Sequence, residues 1–340
     1  MKKIIAVCLL ISSLLLSAVS CNGSVQGTDT LSKTYYNYFD TVSTVSSYAA
    51  DREFDKRAEQ VRQILEKYHI LFDIYNSYDG VNNLKTVNDR AGEWVEVSEE
   101  LIDFLDYAID MHRLTEGEMN IAIGAVISLW HDARKDGGYI PSAGDLKIAS
   151  FHTDVECIEI DRESSRVRLA DSLMRLDVGA VGKGYAAEMA KRYLTDIGAD
   201  SYVLNIGGNL CVIGEKPNGE GWRTGIKNPE PGIDPYYLKI SLKNTSCVTS
   251  GNYERFYTVD GKRYHHIIDK DTLMPADYFI SVTVLCSDSA KADSLSTALF
   301  CMPLSDGMAL INSISDAEAM WVSADGVISY TDGFGNTIIH

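Results

Sequence analysis

The stretch LDVGAVGKGYAAEMA, from Leu176 to Ala190, places three glycines within six residues, directly before a segment with helical spacing. Glycine tolerates positive φ and lets a ligand approach the main chain, so such a loop at a helix start exposes amide N–H groups to an anion. The spacing matches neither common phosphate motif. A P-loop requires GxxxxGK[ST] and a dinucleotide fingerprint requires GxGxxG, whereas this loop reads GxxGxG. The stretch is compatible with a tight structural turn and with a phosphate-binding loop of another kind.

The composition is that of an ordinary globular protein with an acidic surface. The 340 residues are 45% hydrophobic and 23% charged, and the formal net charge is −17. A chain of this length can bury one large core or two moderate ones. Because so acidic a surface repels a polyphosphate backbone, the charge argues against nucleic-acid binding.

The N-terminal segment resembles the leader of an exported lipoprotein. Two lysines precede an apolar run over residues 4–16, which is too short for a membrane span, and the sequence AVSC then ends at Cys21. We expect residues 1–20 to be a signal peptide, Cys21 to carry a lipid anchor and residues 21–34 to be a flexible tether. The protein would then be anchored at the outer face of the cytoplasmic membrane. An ordinary cleaved signal with an incidental cysteine is the alternative.

Apolar periodicity predicts an α+β fold in residues 35–340, with helices mainly in the first half and strands mainly in the second. Segment 132–144 is expected to be an exposed loop. The predicted helices are residues 52–68, a segment capped by Ser98 with Leu101, Leu105, Ala108 and Met111 on its inner face, and 124–130. The predicted strands are residues 36–48 and 278–286, together with hairpins around Gly207-Gly208, Asp260-Gly261 and Asp325-Gly326.

A helical segment from Ser287 to Met302 carries a pair of candidate metal ligands. Asp293 and Thr297 are four residues apart, so a helix places both oxygens on one face. A carboxylate and a hydroxyl suit Mg²⁺ better than zinc, because Mg²⁺ accepts few protein oxygens and completes its shell with water and phosphate. A capping or dipole role for Asp293 is the alternative reading.

Two adjacent histidines, His265 and His266, lie on a predicted strand. Side chains alternate across a strand, so only one of the two can face a given site. A histidine can act as a general base near neutral pH, and a half-buried structural histidine is the alternative. Two more glycine turns, at residues 205–209 and 249–252, end strands and either present amides to a ligand or only reverse the chain. These features together favour a nucleotide-phosphate site without naming a reaction.

Five segments in order carry a family resemblance: DVGAVGKGYAAE (177–188), NIGGN (205–209), TSGNYERF (249–256), HHIID (265–269) and ADSLSTALF (292–300). The set resembles the ApbE family of flavin transferases, in which an FAD:protein FMN transferase attaches FMN through a phosphoester to a Ser or Thr of a partner. The resemblance implies an ApbE/T-fold-like mixed sheet with packed helices. It also implies an FAD site in a cleft between two subdomains.

The resemblance further implies individual roles for residues of this chain. FAD would be the substrate, Mg²⁺ the metal cofactor and His266 the catalytic base, with His265 turned away from the site. The implied metal ligands are Asp293, Thr297 and the carbonyl of Ala180. The implied FAD-binding residues are Lys183 near the phosphates, Glu188 on the nucleotide side, Gly207, Gly208, Ser250, Gly251 and, as a flavin-stacking candidate, Tyr78.

The chain departs from the family pattern at one place beside the implied base. After HHIID the family usually has a proline and then T-G-x-P, whereas this chain reads KDTLMP over residues 270–275. The expected partner is a flavoprotein with a D-x-x-[ST]-G-[AS]-[ST]-like motif. Thr224-Gly225 is the nearest approach to that motif here, but its flanks break it, so self-flavinylation is not expected. Two alternatives stay open: an FAD pyrophosphatase releasing FMN and AMP, and a non-catalytic FAD-binding lipoprotein.

Overall fold

The structure, a computed structural model, describes residues 30–48, 51–230 and 234–339, which are organised around an eight-stranded sheet. The strands are β1 (Thr30–Tyr38), β2 (Thr41–Tyr48), β3 (Val95–Glu96), β4 (Ile158–Asp161), β5 (Arg166–Leu169), β6 (Tyr202–Ile206), β7 (Asn209–Ile213), β8 (Trp222–Lys227), β9 (Tyr236–Leu242), β10 (Ser246–Gly251), β11 (Phe256–Val259), β12 (Lys262–His265), β13 (Phe279–Cys286), β14 (Ala317–Ser323) and β15 (Ile328–Tyr330). The helices are α1 (Phe54–Phe72), α2 (Leu84–Asp89), α3 (Glu99–Leu114), α4 (Gly124–Lys135), α5 (Ala143–Ala149), α6 (Gly182–Asp196), α7 (Ser289–Phe300), α8 (Leu304–Asn312) and α9 (Asp332–Gly335).

The large sheet has the strand order β1-β2-β6-β7-β10-β13-β14-β15. Each pair of neighbours in it is antiparallel. Nearly every residue of β13 is buried, as expected for an inner strand that is covered on both faces. The predicted α+β class is confirmed. The predicted sheet was a mixed one with packed helices. Helices do pack on the observed sheet, but all pairings between its described strands are antiparallel.

Helices cover one face of the sheet and a hairpin covers the other. Helices α6 and α7 pack on each other and over β7 and β10, and α1 packs against α6. On the opposite face the β8–β9 hairpin brings Ile226 and Ile240 against Val212 and Met320. The two layers fix the N-terminal halves of α6 and α7 side by side above the strand ends.

A smaller cluster holds the β11–β12 hairpin against α4. The Trp130 ring stacks on Tyr264 with 5.8 Å between centroids, and its Nε1 donates a hydrogen bond of 2.9 Å to the Leu273 carbonyl. These contacts join the first half of the chain to the hairpin that ends in the two histidines. The predicted hairpin around Asp260-Gly261 is confirmed, with Asp260 and Gly261 both at positive φ.

Several predicted boundaries differ from those observed. The predicted strand 36–48 is a hairpin, because Phe39 and Asp40 adopt left-handed conformations that reverse the chain. Strand β1 begins at Thr30, so the last residues of the predicted tether belong to the sheet. The predicted loop 132–144 is wrong at both ends, since α4 continues to Lys135 and α5 begins at Ala143.

The predicted signal peptide and Cys21 lie outside the described residues. Among the helices that the structure does describe, none combines the length and the apolar character needed to cross a membrane.

Candidate active site

The start of α6 meets α7 through the glycine loop that contains Gly179, Gly182 and Gly184. The Gly184 N–H donates a buried hydrogen bond of 2.8 Å to Asp293 Oδ2 on α7. A Cβ at Gly184 would lie 2.4 Å from the Asp293 Cβ and 2.5 Å from the Ser289 carbonyl oxygen. The third glycine of the loop is therefore required for close helix packing, and the packing carries the Asp293 carboxylate to the loop.

This hydrogen bond leaves the Ala180 carbonyl free. In a regular helix the N–H of residue 184 would donate to the carbonyl of residue 180. Here it donates to Asp293 instead, and the Ala180 carbonyl accepts no main-chain hydrogen bond from the described residues. An unsatisfied carbonyl beside a buried carboxylate is a donor set that suits a hard cation.

Thr297 lies one turn after Asp293 and adjoins the end of β10. Ser250 Oγ is 2.8 Å from Ser296 Oγ and 3.4 Å from Thr297 Oγ1. The structure thus brings two predicted site residues from separate motifs into contact. No group of three His, Cys, Asp or Glu side chains that could hold a metal occurs in the described ranges. A metal at this place would rely on carbonyl and hydroxyl oxygens beside one carboxylate, which favours Mg²⁺ over zinc.

Ionising the buried Asp293 carboxyl costs free energy, and a bound cation would reduce that cost. Burial raises its pKa, and the opposing effects come from the Lys183 ammonium, the Gly184 N–H and the Asn209 amide. The Asn209 amide nitrogen is near enough to act on the carboxyl, but it is buried and has no partner at hydrogen-bond distance in the described part of the chain. A buried carboxylate with so few partners is costly to ionise, so these residues fit a bound metal.

Gly184→Ala is expected to lower the free energy of unfolding by about 1 to 3 kcal/mol, because the added methyl group forces α6 and α7 apart. Urea denaturation of the full chain measures the change. Gly144→Ala in α5 is the matched control: its nearest atom would be Ser142 Oγ at 3.7 Å, so the substitution is expected to be neutral or stabilising. Equal stability of the two variants would contradict the close packing at Gly184.

The two histidines at the end of β12 face opposite ways, as alternation predicts. His265 is buried, its Nε2 lies 2.7 Å from the Ala276 carbonyl oxygen, and its ring packs edge-on against Phe300. The His266 side chain opens to solvent, and its Nδ1 lies 3.3 Å from the Arg255 carbonyl oxygen. Because a carbonyl only accepts, we assign the proton to Nδ1, which leaves the Nε2 lone pair available as a base.

The surroundings of His266 keep its imidazole neutral. Packing of protein around the ring lowers its pKa first, and the charges of Lys183 and Arg255 lower it further. Lys183 therefore acts on both the histidine and the Asp293 carboxyl, and its Nζ donates a hydrogen bond of 3.3 Å to the Gly179 carbonyl. The lysine ammonium links the glycine loop to the candidate base.

The loop after His266 keeps a closed turn despite its departure from the family pattern. Asp269 Oδ1 accepts hydrogen bonds from Asp271 N at 2.7 Å and Thr272 N at 3.0 Å, and Leu273 N donates to the Asp269 carbonyl at 2.9 Å. Leu273 occupies the position of the family's glycine and adopts a φ of 59°. Leucine rarely adopts this left-handed conformation, so its conformational cost at position 273 is about 1 kcal/mol or more.

A cleft of about 360 Å³ opens beside His266, with Asp40, Arg134, Glu254, Arg255 and Phe256 in its lining. Its lining residues come from both halves of the chain.

Tyr75 lies close enough to the cleft for the charges of Arg134, Arg255 and Asp40 to act on it, and the sequence patterns did not single it out. Its half-exposed ring lies 5.3 Å from the His131 ring, and the charges of Asp177 and Arg255 act on its hydroxyl. Asp177, also unassigned from sequence, has its pKa raised by burial and accepts a hydrogen bond of 2.9 Å from Gly179 N. An aromatic residue in a polar loop is the sequence signal that Tyr75 shares with Tyr78.

Two side chains that are predicted to bind FAD make hydrogen bonds or ion pairs with other residues of the protein. Tyr78 donates a hydrogen bond of 2.8 Å from its hydroxyl to Asp73, within its own loop. Glu188 is buried, accepts from Ser289 N at 2.9 Å at the start of α7, and pairs with Lys191 and Arg192 at 3.2 Å each. These contacts favour a structural role for Tyr78 and Glu188 over the predicted contacts with flavin and nucleotide.

The glycine turns occupy strand ends as predicted. Gly207 and Gly208 both have positive φ, and a Cβ at Gly207 would lie 2.5 Å from Thr41 Oγ1. A Cβ at Gly251 would lie 2.7 Å from the Tyr253 ring, so this glycine too is required for a close approach. Each turn has a steric reason for its glycine, and the contact of any of them with a ligand stays a prediction.

A helix pair that presents main-chain and carboxylate oxygens, together with an open histidine, is an arrangement that suits phosphoryl transfer. The model of the ApbE family matches residues 39–321, so this chain is a member of the ApbE family. The predicted family is confirmed.

Curated relatives and solved structures agree with this assignment. The chain is 31% identical over 294 residues to the FAD:protein FMN transferase of Treponema pallidum (strain Nichols), covering 81% of each chain. It is 30% identical over 268 residues to an FAD:protein FMN transferase of Klebsiella pneumoniae (strain 342), covering 78% of this chain and 82% of that one. The ApbE protein of Thermotoga maritima superposes with a TM-score of 0.83 at 27% identity, over 92% of this chain and 100% of that chain. The predicted ApbE-like fold is confirmed, and the names agree with the predicted transferase class.

Proposed function

We propose that this protein is a Mg²⁺-dependent FAD:protein FMN transferase, which moves FMN from FAD to a Ser or Thr hydroxyl of a partner flavoprotein and releases AMP. The observation that carries the proposal is the junction of α6 and α7, where Gly184 N–H meets Asp293 and leaves the Ala180 carbonyl free. Its relatives' name supports the same reaction.

Different residues of the chain would bind the metal, bind the phosphates and accept the proton during transfer. Ala180, Asp293 and Thr297 would hold Mg²⁺, which when bound supplies positive charge that stabilises the phosphate oxygens during transfer. Lys183 binds the diphosphate of FAD with its ammonium. His266 Nε2 takes the proton from the acceptor hydroxyl, whose oxygen bonds to the FMN phosphorus as the phosphoanhydride bond to AMP breaks.

We propose Tyr75, in place of Tyr78, as the residue that contacts the flavin ring. Tyr75→Ala is expected to weaken FAD binding about tenfold, because a half-exposed aromatic face next to the cleft is lost. Tyr78→Phe is the matched control, since it removes only a hydroxyl bonded within the loop, and its FAD affinity is expected to stay within about twofold. Quenching of flavin fluorescence measures both affinities. A larger loss in Tyr78→Phe than in Tyr75→Ala would reverse the assignment.

The decisive experiment incubates the full chain with FAD, Mg²⁺ and a peptide that carries DGASGAT, followed by mass spectrometry. FMN on the peptide together with free AMP is the expected result. FMN and AMP without an adduct would instead establish the pyrophosphatase, in which water replaces the hydroxyl at the open side of His266. Unchanged FAD would leave a binding protein and overturn the catalytic proposal.

The export proposal rests on the leader pattern that ends at Cys21. We infer that the mature protein is held by lipid at that cysteine on the outer face of the cytoplasmic membrane. Cells grown with labelled palmitate are expected to label the wild type and not Cys21→Ser. Equal labelling of the two proteins would reject the anchor.

A further inference from the structure

Asn209 is a buried side chain whose amide nitrogen has no hydrogen-bond partner among the described residues. It is 3% exposed, it directly follows the Gly207-Gly208 turn, and it is the first residue of β7. Its Nδ2 lies within hydrogen-bond distance of no acceptor in the described ranges. A buried N–H without a partner costs free energy, so its presence at this position needs an explanation.

Asn88 shows how a structural asparagine of this protein is held. It is also buried, but its Nδ2 donates to the Leu176 carbonyl at 3.0 Å and its Oδ1 accepts from Leu176 N at 2.7 Å. Both ends of that amide therefore hold the main chain. The Asn209 nitrogen makes no such contact with the part of the chain that the structure describes, so holding the main chain does not account for its N–H.

Strand alternation directs Asn209 towards the helix layer. Cys211 and Ile213 of β7 pack in the core beneath the helices, whereas Val212 packs on the opposite face against the β8–β9 hairpin. Because side chains two positions apart share a face, Asn209 lies on the helix side with Cys211 and Ile213. Helices α6 and α7 pack over β7 on that side. The strand thus carries the amide beneath the junction of the two helices.

The Asp293 carboxyl is the polar group on which the Asn209 amide acts. The amide favours the charged form of that carboxyl, as the Gly184 N–H also does, and so lowers its pKa. The Gly184 N–H holds Oδ2 of the same carboxylate at 2.8 Å. A carboxylate held by one donor can still turn about that hydrogen bond, whereas donors from two different elements fix its plane.

Resting on the proposed function, we propose that Asn209 is a positioning residue, whose amide N–H holds the Asp293 carboxylate in the orientation that presents an oxygen to Mg²⁺. Carboxylates that bind metals are themselves hydrogen-bonded, and such partners set the metal affinity without touching the metal. The tight turn at Gly207 and Gly208 then has a further purpose beyond reversing the chain, because it starts β7 at the point where its first side chain meets α7.

The test replaces the amide by an apolar group of similar shape, Asn209→Leu, in the full chain. The Mg²⁺ concentration that half-saturates the rise in melting temperature is measured without FAD, and the concentration that half-saturates FMN transfer is measured with saturating FAD. Both concentrations are expected to rise about ten- to a hundredfold, as is usual when a metal ligand loses its hydrogen-bond partner. At saturating Mg²⁺, kcat is expected to stay within about threefold of the wild type, because the amide acts through Asp293.

Stability without Mg²⁺ separates positioning from a structural role. Because Asn209→Leu removes a buried N–H that lacks a partner among the described residues, the metal-free variant is expected to match or exceed the wild type in urea denaturation. Ser246→Ala is the matched control on the same face of the sheet. Ser246 is buried opposite Cys211, and its Oγ donates to Cys211 Sγ at 3.3 Å. This control is expected to lose stability and to keep the wild-type response to Mg²⁺.

Asn209→Ala provides a second test if leucine distorts the packing of α7. It removes the amide without adding bulk, and its half-saturating Mg²⁺ concentrations are expected to rise by the same ten- to a hundredfold.

Three outcomes overturn the inference. Half-saturating Mg²⁺ concentrations that are unchanged in both Asn209 variants would show that the amide does not orient Asp293. Weaker FAD binding by the variants in Mg²⁺-free buffer, measured by flavin fluorescence, would place the amide on FAD instead. A wild type that responds to Mg²⁺ in neither measurement overturns the proposed metal site together with this inference, whereas a wild-type response that both variants share overturns this inference alone.

Discussion

Asp293→Asn is expected to lower the rate of FMN transfer at least about a thousandfold, because it removes the one carboxylate of the proposed metal site. Asparagine keeps the volume of the side chain and an oxygen that can accept from Gly184 N–H, so α6 and α7 stay packed. Product mass spectrometry with saturating FAD and Mg²⁺ measures the rate. Asp306→Asn, an exposed change on α8, is the matched control and is expected to be fully active.

A second readout of the same variant is independent of turnover. Burial raises the Asp293 pKa, so in metal-free protein its contribution to stability is lost as pH rises from the usual value of 3.8 through the raised value. Mg²⁺ is expected to restore that stability and to raise the melting temperature of the wild type more at pH 7 than in acid. Asp293→Asn is expected to show no such rise. Full Mg²⁺-dependent transfer in that variant would remove Asp293 from the site.

Local rules explain why much of the fold could be predicted. Ser98 accepts from Leu101 N as a helix cap, and Asp260-Gly261 forms the hairpin turn, because both depend only on residues a few positions away. The β1–β2 turn does not stand out in the sequence because Phe39, unlike Asp40, is not a residue usually found at positive φ. Their conformation is imposed by sheet pairing, which sequence spacing does not contain.

The part of the candidate site that lies on a single helix could be predicted from residue spacing. Asp293 and Thr297 lie on one face by spacing alone, whereas the role of Gly184 depends on a residue 109 positions later. Tyr75 and Tyr78 lie in the same loop, so residue spacing alone does not distinguish them as candidates for contact with the flavin. Asp73 accepts a hydrogen bond from the Tyr78 hydroxyl and one from Tyr75 N, which draws Tyr78 into the loop and leaves the Tyr75 ring free.

His266→Ala is expected to lower FMN transfer about 10²- to 10⁴-fold while FAD affinity changes little, because the imidazole acts on the acceptor hydroxyl. His265 offers the matched contrast. His265→Ala is expected to lower the free energy of unfolding by about 2 to 4 kcal/mol, since it removes a buried ring and its hydrogen bond to the Ala276 carbonyl. Urea denaturation separates the two effects, and unchanged transfer in His266→Ala would reject the base.

The pH dependence of transfer gives the sharper test of His266. Packing, Lys183 and Arg255 lower the His266 pKa. The acid limb of the kcat–pH profile, where kcat falls because His266 becomes protonated, is therefore expected well below the ordinary histidine pKa of 6.5. Lys183→Met removes a positive neighbour, so the pKa rises and the limb moves toward neutral pH. Lys183→Arg keeps the charge and is expected to leave the limb in place. Lys183, which we propose to bind the phosphates, would then also help burial to keep the proposed base neutral, and a limb unmoved in Lys183→Met would contradict that coupling.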